Sequence, residues 1–224
     1  SRLREDCGGF EKVIVMKRIL NIILALRKKH QFTKNATLLG NDYIFGRGGY
    51  VSLIDGSTKD DVVLEDRVWI YGALQSQNHG KIHMGEYSKL GAGCRILAVD
   101  SVFIGEYTAI AENVVISDNN NHPVSPSFRK YMRTTPEGDD SRMWKHSVHA
   151  PIVIGKNCWI GQNARIQKGV VLGDNCIVAA NSVVTKSAPA NCILAGNPAR
   201  IVKTDIDQVA APDSCEGYNE YIRK

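Results

Sequence analysis

An aliphatic side chain that returns every six residues is the feature that most limits the fold of this chain. The repeat is unbroken late in the sequence, at Ile154, Ile160, Ile166, Leu172, Val178 and Val184. A period of six is too long for one face of an α-helix, and it differs from the two-residue alternation of a simple strand. It is typical of short strands joined by tight corners and wound into a three-sided coil whose turns stack on one another.

The same unit occurs earlier in the chain, where Leu64, Met84 and Ile104 are 20 residues apart. A small or compact side chain follows each aliphatic position and is predicted to fill the cramped interior near a corner: Ser88, Cys94, Thr108, Val114, Cys158, Ala164, Val170, Cys176, Ser182 and Ala188. Glycines at the corners are predicted to adopt positive φ: Gly85, Gly91, Gly105, Gly155, Gly161 and Gly173. The pattern therefore predicts an all-β solenoid.

The composition excludes several other classes of protein. The 224 residues carry 28 Lys and Arg against 23 Asp and Glu, and a net charge of +5 does not indicate a nucleic-acid-binding protein. No stretch approaches the ~20 apolar residues that span a bilayer. The six cysteines lack C-x-x-C spacing, and the N-terminal apolar stretch lacks a signal-peptide cleavage site. We therefore expect reduced thiols in a cytoplasmic protein with no bound metal.

Two terminal segments are predicted to lie outside the coil, which gives a division into residues 1–39, 40–204 and 205–224. Residues 11–29 have a helical pattern with a broad apolar surface and flanking cations. Packing against the coil or a partner subunit is the favoured interpretation, and peripheral contact with the inner membrane surface stays open. The tail is expected to cap the last coil, because exposed solenoid ends need protection.

The repeat is interrupted once, and we expect chemistry at the interruption. Ile104 and Ile154 are 50 residues apart where the local period is 20, so roughly thirty residues are inserted, within 118–151. Insertions in solenoids form loops on one face, often the binding face. Long loops on rigid scaffolds also tend to carry function.

Three motifs resemble those of the hexapeptide-repeat acyltransferases. They read Asn157-Cys158-Trp159-Ile160-Gly161, Ser182-Val183-Val184-Thr185-Lys186 and Ala195-Gly196-Asn197-Pro198-Ala199-Arg200. The resemblance covers roughly residues 40–204. It implies a left-handed parallel β-helix, usually a homotrimer with active sites between subunits, and acetyl-CoA as the acyl donor.

The candidate catalytic residues lie in the excursion. Acyl transfer from a thioester to a hydroxyl needs a base, and an imidazole titrates near neutral pH. Asn121-His122-Pro123 resembles the catalytic histidine motif of the family's sugar O-acetyltransferases, which implies that His122 is the general base. The position of Trp144 resembles capsular polysaccharide O-acetyltransferases, in which a His and a Trp form the active site together. Whether Trp144 acts through its ring or its backbone N–H stays open, and His146 and His149 are competing bases.

The resemblance also implies binding residues for donor and acceptor. Acetyl-CoA is expected to contact Trp159, Gly161, Ala179, Thr185, Lys186, Arg200 and Lys203. The three cations among them, Lys186, Arg200 and Lys203, suit its phosphates. Cations interleaved with aromatics suit an anionic or extended glycan, and the residues concerned are Arg129, Lys130, Tyr131 and Trp144. Gly91 and Ala98 replace the Asn and Asp that help maltose-type enzymes hold their sugar, so a simple mono- or disaccharide acceptor is not expected.

The predicted function is transfer of acetyl from acetyl-CoA to a hydroxyl of a saccharide, most plausibly a capsular or surface polysaccharide or its precursor. Three alternatives stay open. One is N-acetylation of an amino sugar or nucleotide sugar, or O-acetylation of a xenobiotic. Another is a metal-dependent hydratase using His79, His83 and His122. The third is a non-catalytic scaffold, which would not be stabilised by CoA.

Overall fold

The computed structural model describes residues 2–212, Tyr218 and Tyr221, with side chains described from Val15 onward. The predicted cap comprises residues 205–224. Apart from 205–212, Tyr218 and Tyr221, it lies outside the described residues, and so do the side chains of Cys7 and Cys215. The chain begins with a long helix, α1 (Arg2–Asn35), and continues almost entirely as short strands and corners.

Twenty strands and a second helix follow α1 in the described chain. In chain order they are β1 (Thr37–Leu38), β2 (Tyr43–Phe45), β3 (Tyr50–Ile54), β4 (Val62–Leu64), β5 (Val68–Ile70), β6 (Ala73–Gln77), β7 (Lys81–Met84), β8 (Lys89–Leu90), β9 (Arg95–Ala98), β10 (Ser101–Ile104), β11 (Ala109–Ile110), β12 (Val115–Ser117), α2 (Pro126–Thr134), β13 (Ile152–Ile154), β14 (Trp159–Ile160), β15 (Arg165–Gln167), β16 (Val171–Leu172), β17 (Ile177–Val178), β18 (Val183–Val184), β19 (Ile193–Gly196) and β20 (Ala199–Lys203). Short 3-10 turns occupy Lys59–Asp61, Asp140–Arg142, Trp144–His146 and Ile206–Gln208.

The strands fall into three sheets that the chain visits in rotation. Sheet A takes β1, β4, β7, β10, β13 and β16, and sheet C takes β3, β6, β9, β12, β15 and β18. Sheet B takes β2, β5, β8, β11, β14 and β17, then β19 and β20. All pairings are parallel except the last, in which β20 runs antiparallel to β19. Each sheet therefore collects one side of every coil, as the six-residue period predicts.

The core lies along the axis enclosed by the three sheets. All six members of the late hexad series are at most 1% exposed, from Ile154 to Val184. The ten small or compact residues predicted for the interior are buried as well. Cys94, Cys158, Cys176 and Cys192 are buried free thiols, and burial raises the pKa of Cys94 to about 11. These thiols act as fillers of the coil interior.

The prediction of positive φ at the six corner glycines is wrong. None of the six has a positive φ; instead, each lies too close to the next coil for a side chain. A Cβ on Gly105 would lie 2.6 Å from the carbonyl carbon of Gly155, and one on Gly161 would lie 2.6 Å from the nitrogen of Ala180. Positive φ is adopted mainly by asparagines, at Asn78, Asn113, Asn121, Asn157, Asn163, Asn175, Asn181 and Asn191. Stacking distance, rather than backbone conformation, requires glycine at these corners.

Helix α1 is longer than the predicted residues 11–29, and its C-terminal part packs on the coil. The buried ring of Phe32 stacks on Phe45 with centroids 3.9 Å apart, and Gln31 donates to the carbonyl of Val51 at 2.6 Å. Strand β1 pairs with β4, so the coil begins before residue 40, the predicted first residue. No helix of the described chain combines the length and apolar character needed to cross a bilayer.

The excursion leaves the coil after β12 and returns at β13. It contains helix α2, which the sequence analysis did not assign. Ser125 caps this helix, its hydroxyl accepting from the N–H of Phe128 at 3.4 Å, and Pro126 occupies its first turn. The Ser-Pro pair is a helix-start signal that the sequence offered. Met132 is the buried anchor of α2.

Candidate functional site

A short antiparallel neck ties the excursion to the coil. Asn119 and His149 form a β-bridge, and the N–H of Asn120 donates to the carbonyl of Val148 at 3.1 Å. The N–H of Ala150 donates to the carbonyl of Asp118 at 2.9 Å. The two ends of the excursion are therefore held together where they join sheets C and A.

The side chain of Asp118 fixes this neck to the preceding coil. Its fully buried carboxylate accepts from the N–H of Val99 at 3.0 Å and from the N–H of Asp100 at 2.8 Å. The side-chain amide of Asn119 donates to it at 3.0 Å. Burial raises the pKa of Asp118, although these hydrogen bonds act in the opposite direction. The carboxylate thus satisfies two backbone donors that solvent does not reach.

A tight turn presents the imidazole of His122 to solvent. Asn119 Oδ1 accepts from the N–H of Asn121 at 2.9 Å, and the N–H of His122 donates to the carbonyl of Asn120 at 2.7 Å. Pro123, the next residue, is buried. The His122 side chain is exposed and forms no hydrogen bond with the described part of the chain. The backbone is fixed on both sides while the ring stays accessible to a substrate.

Trp144 opens a 3-10 turn at the far end of the excursion, and its backbone N–H is already bonded. This N–H donates to Oε1 of the buried Gln77 at 3.2 Å, and Nε2 of Gln77 donates to Asp55. Because the N–H of Trp144 is already bonded to Gln77, the structure argues against a role for this backbone N–H in the reaction. The half-buried indole remains as the group of Trp144 that can act on a substrate. Gln77 was missed because nothing in the local sequence links it to a loop 67 residues away.

A cavity of about 510 Å³ lies against α2, lined by Pro123, Ser125, Ser127, Phe128, Tyr131 and His146. The ring of His146 lies 5.8 Å from that of Phe128, and its Nε2 is 2.8 Å from Asp140. Hydrogen bonds from Lys145 and His146 lower the pKa of Asp140. The ring of His146 is thereby tied to a carboxylate, whereas that of His122 has no hydrogen-bond partner among the described residues.

The three predicted acceptor residues on α2 are not brought together. Tyr131 lines the cavity, but Arg129 donates to the carbonyls of Pro123 and Val124 within its own loop. Lys130 is exposed outside the cavity lining. The excursion also holds a competitor base, His149, whose Nδ1 lies 3.4 Å from Asp100 beside the neck.

The predicted donor residues are divided between two sheets. Trp159 and Lys203 share one column on the outer face of sheet B, through the pairings of Trp159 with Ile177, of Ile177 with Ile193 and of Ile193 with Lys203. Arg200 lies on β20 of the same sheet, while Thr185 and Lys186 directly follow β18 of sheet C. The last two donor residues form backbone hydrogen bonds to neighbouring coils. The N–H of Gly161 donates to the carbonyl of Val178 at 2.7 Å, and the N–H of Ala179 donates to the carbonyl of Leu194 at 2.8 Å.

A cavity of about 370 Å³ adjoins the donor column, lined by Asn157, Trp159, Asn175, Ile177, Ile206 and Asp207. Trp159 is 57% exposed, so its ring is open to a ligand or a partner. The cavity therefore places a flat apolar surface on the same sheet face as Lys203.

Two of the three histidines required by a metal-dependent hydratase, His79 and His83, are engaged with carboxylates elsewhere. His79 lies 3.3 Å from Asp61, and His83 lies 2.8 Å from Glu65. Burial opposes ionisation of Asp61, but hydrogen bonds from Lys81, Thr58 and His79 outweigh it and lower the pKa. Among the side chains that the structure describes, no three of His, Cys, Asp or Glu are grouped so that they could hold a metal ion.

Comparison with known proteins agrees with this architecture. The family profile described as "Hexapeptide repeat of succinyl-transferase" matches residues 151–186. WbbJ of Escherichia coli K12, named as an O-acetyl transferase of lipopolysaccharide biosynthesis, is 32% identical over 149 residues, which are 57% of this chain and 74% of WbbJ. The polysialic acid O-acetyltransferase of Escherichia coli O1:K1 is 33% identical over 138 residues, 61% of this chain. The match spans only 41% of that enzyme.

A solved structure of a galactoside acetyltransferase in complex with coenzyme A has a similar fold. Its TM-score to this chain is 0.52 and its sequence identity is 28%. The match covers 73% of this chain and 71% of that one.

Proposed function

The chain belongs to the hexapeptide-repeat acyltransferases, and on that basis we propose that it transfers acetyl from acetyl-CoA to a hydroxyl of a saccharide, namely a capsular or surface polysaccharide or its precursor. The relatives named above are O-acetyltransferases of lipopolysaccharide, polysialic acid and galactosides. The family also implies that the coil is left-handed.

One observation carries the proposal for the acceptor side. The exposed His122 forms no hydrogen bond with the described part of the chain, and its two chain neighbours line concave surfaces: Pro123 lines the cavity against α2, and Asn121 lines a polar groove on sheet C. A sugar chain lying across both surfaces passes the imidazole. His122 then removes the proton of one hydroxyl, and the resulting oxygen nucleophile attacks the thioester carbonyl. The C–O bond forms, the C–S bond breaks, and the imidazolium returns its proton to the CoA sulfur.

The donor is proposed to lie along the outer face of sheet B. The open indole of Trp159 offers an apolar surface for the pantetheine or adenine, and Lys203 and Arg200 offer charge for phosphates. Thr185 and Lys186 would complete this site from a second subunit, because they lie on a different sheet from Trp159. We therefore assign acetyl-CoA as co-substrate and no metal.

A homotrimer is part of the proposal, and an apolar column supports it. Phe103, Val153 and Val171 are register partners on the outer face of sheet A and are 36–48% exposed. Such a column suits burial against another copy of the chain. Light scattering is expected to give the mass of three chains, and a monomer mass would contradict the trimer.

We propose a cytoplasmic location, where acetyl-CoA is available and buried thiols stay reduced. Helix α1 supplies a surface for peripheral contact with an anionic membrane. Between Val15 and Asn35 it has six Lys and Arg and no Asp or Glu, and its apolar residues from Val15 to Leu26 are largely exposed. Co-sedimentation with anionic but not neutral vesicles is the expected result, and no sedimentation with either would remove this part of the proposal.

Acetyl transfer is tested with labelled acetyl-CoA and a panel of saccharide hydroxyl and amine acceptors. We expect label on hydroxyl acceptors and a shift of the unfolding curve by CoA. At 100 times its Kd, CoA should add ~2.7 kcal/mol to the stability of the native state. Absence of both transfer and stabilisation would favour the non-catalytic scaffold, and label on amines alone would favour N-acetylation.

Trp144 provides a sharper test of the acceptor site. Trp144→Ala is expected to raise the KM for the acceptor about tenfold through loss of the indole surface, while Trp144→Phe retains most of the affinity. Gln77→Ala is the matched variant, because it frees the Trp144 N–H without removing the ring. If the N–H were the working group, Gln77→Ala would raise kcat, and Trp144→Ala would leave KM unchanged.

A further inference from the structure

The polar groove on the outer face of sheet C contains two arginines that have no role in the mechanism above. Its volume is about 340 Å³, and it runs from β9 across β12 to β15 beneath the first residues of the excursion. Two arginines and three consecutive asparagines supply most of its polar groups: Arg95, Arg165 and Asn119–Asn121. No residue of the α2 cavity lines it, so the two concave surfaces are separate.

The two arginines are set at a fixed spacing by the coil. Arg95 and Arg165 are both register partners of Val115, one on each side, although they are 70 residues apart in sequence. Adjacent strands lie ~4.8 Å apart, so the two Cα atoms are about 10 Å apart. Both side chains stand on the outer face of the same sheet and are exposed.

Neither guanidinium is neutralised by the protein. The backbone N–H groups of Arg95 and Arg165 donate to neighbouring coils, but their guanidinium groups form no ion pair or hydrogen bond with any other residue of the described chain. The groove lining contains no carboxylate, and the nearby Asp118 is buried and turned towards the N–H groups of Val99 and Asp100. Among the residues that line it, the groove therefore carries two positive charges and no negative one.

The groove also adjoins the proposed base. Asn121, one of its lining residues, immediately precedes His122 in the sequence. Arginine binds carboxylates through two parallel N–H···O hydrogen bonds, and asparagine amides bind sugar hydroxyls. In a glycan lying in the groove, arginine would bind the carboxylate, and a hydroxyl of a neighbouring sugar would lie close to the imidazole of His122.

From this arrangement we infer that the groove is a carboxylate-binding subsite and that the preferred acceptor is an acidic glycan. The inference rests on the proposed function, since it names the class of acceptor for the same site. Arg95 and Arg165 are specificity-determining residues that select the acid, and His122 acts on its hydroxyl.

The test compares two acceptors that differ only at C6: a tetrasaccharide of galacturonic acid, which has a carboxylate there, and the matching tetrasaccharide of galactose, which has a CH2OH group; acetylation is counted at the ring hydroxyls that both share. The wild-type enzyme is expected to prefer the acidic acceptor in kcat/KM. Arg95→Gln and Arg165→Gln should each reduce that preference about tenfold, since each removes a charge-assisted hydrogen-bonding partner. Arg47→Gln is the matched control, because Arg47 is also exposed but lies beside α1 and β2. It should leave the preference at its wild-type value.

Direct binding separates failure of this inference from failure of the proposed function. Calorimetry without acetyl-CoA should show tighter binding of the acidic tetrasaccharide to the wild type than to the arginine variants, even if neither sugar is acetylated. Equal binding by wild type and variants would overturn the subsite. Loss of CoA affinity in the variants, with the acidic preference unchanged, would also overturn it and assign the arginines to donor phosphates.

Discussion

Replacing His122 by alanine is expected to lower kcat by at least ~10²-fold, the low end for removal of a positioned general base. The imidazole is exposed, has no partner in the described chain, and sits on a turn fixed by Asn119, Asn120 and the buried Pro123. No other group of that turn can accept a hydroxyl proton near neutral pH. Steady-state kinetics with saturating acetyl-CoA measures the change.

The affinity for CoA should be nearly unchanged in His122→Ala, because the proposed donor residues lie on or directly after β14, β17, β18 and β20, outside the excursion. His149→Ala is the control, since its ring stands in the same excursion but pairs with Asp100 at the neck. It should keep most of the activity. Full activity in His122→Ala combined with loss in His149→Ala would move the base to the neck and contradict the assignment.

Asp118→Ala is expected to destabilise the protein by about 1–3 kcal/mol for each backbone N–H that it leaves unpaired. The carboxylate accepts from the buried N–H of Val99 and from the N–H of Asp100, and the methyl group of alanine can replace neither bond. Urea unfolding followed by circular dichroism measures the change in free energy. Because the neck depends on Asp118, proteolysis within the excursion should also become faster.

Asp174→Ala is the matched control for Asp118. Asp174 is exposed and accepts one N–H, from Lys156 at 2.8 Å, so solvent can replace it and a loss of about 1 kcal/mol or less is expected. Similar small losses in both variants would show that burial of Asp118 is not what stabilises the neck.

The pH dependence gives a second check on Asp118. Burial raises its pKa in the folded protein, so the folded state keeps this proton to higher pH than the unfolded state does. The stability linked to that proton is fully present below the ordinary value of 3.8 and is lost as pH rises through the raised pKa. The difference in unfolding free energy between wild type and Asp118→Ala should therefore shrink with rising pH across that window.

The sequence predicts where the site lies, but it does not predict the contacts around it. The break in the six-residue period marked the excursion, and the Asn-His-Pro step marked His122. The contact between Trp144 and Gln77 could not be foreseen, because it joins residues 67 positions apart. Helix α2 was not predicted, although Ser125 and Pro126 signal its start, because a Ser-Pro pair is also common in turns and the helix is only nine residues long.

The corner glycines illustrate the same limit within the fold itself. A glycine can be required because its φ is positive or because another backbone segment approaches it closely. The neighbouring residues in the sequence do not distinguish these two reasons. The structure shows that Gly105 and Gly161 are required by the backbone of the next coil, while asparagines such as Asn157 and Asn175 adopt the left-handed conformation. Their side chains also bond to one another, at 2.9 Å.

The sequence by itself determined the coil, its axis and the place where it opens, because a six-residue period is a local property that every turn repeats. Only the tertiary structure decided which distant residues share a surface. Stacking of parallel strands sets Arg95 beside Arg165, across Val115, and buries Asp118 against the preceding coil. Those contacts depend on the register between coils and on how the excursion closes on itself, and neither is encoded in the spacing of residues along one turn.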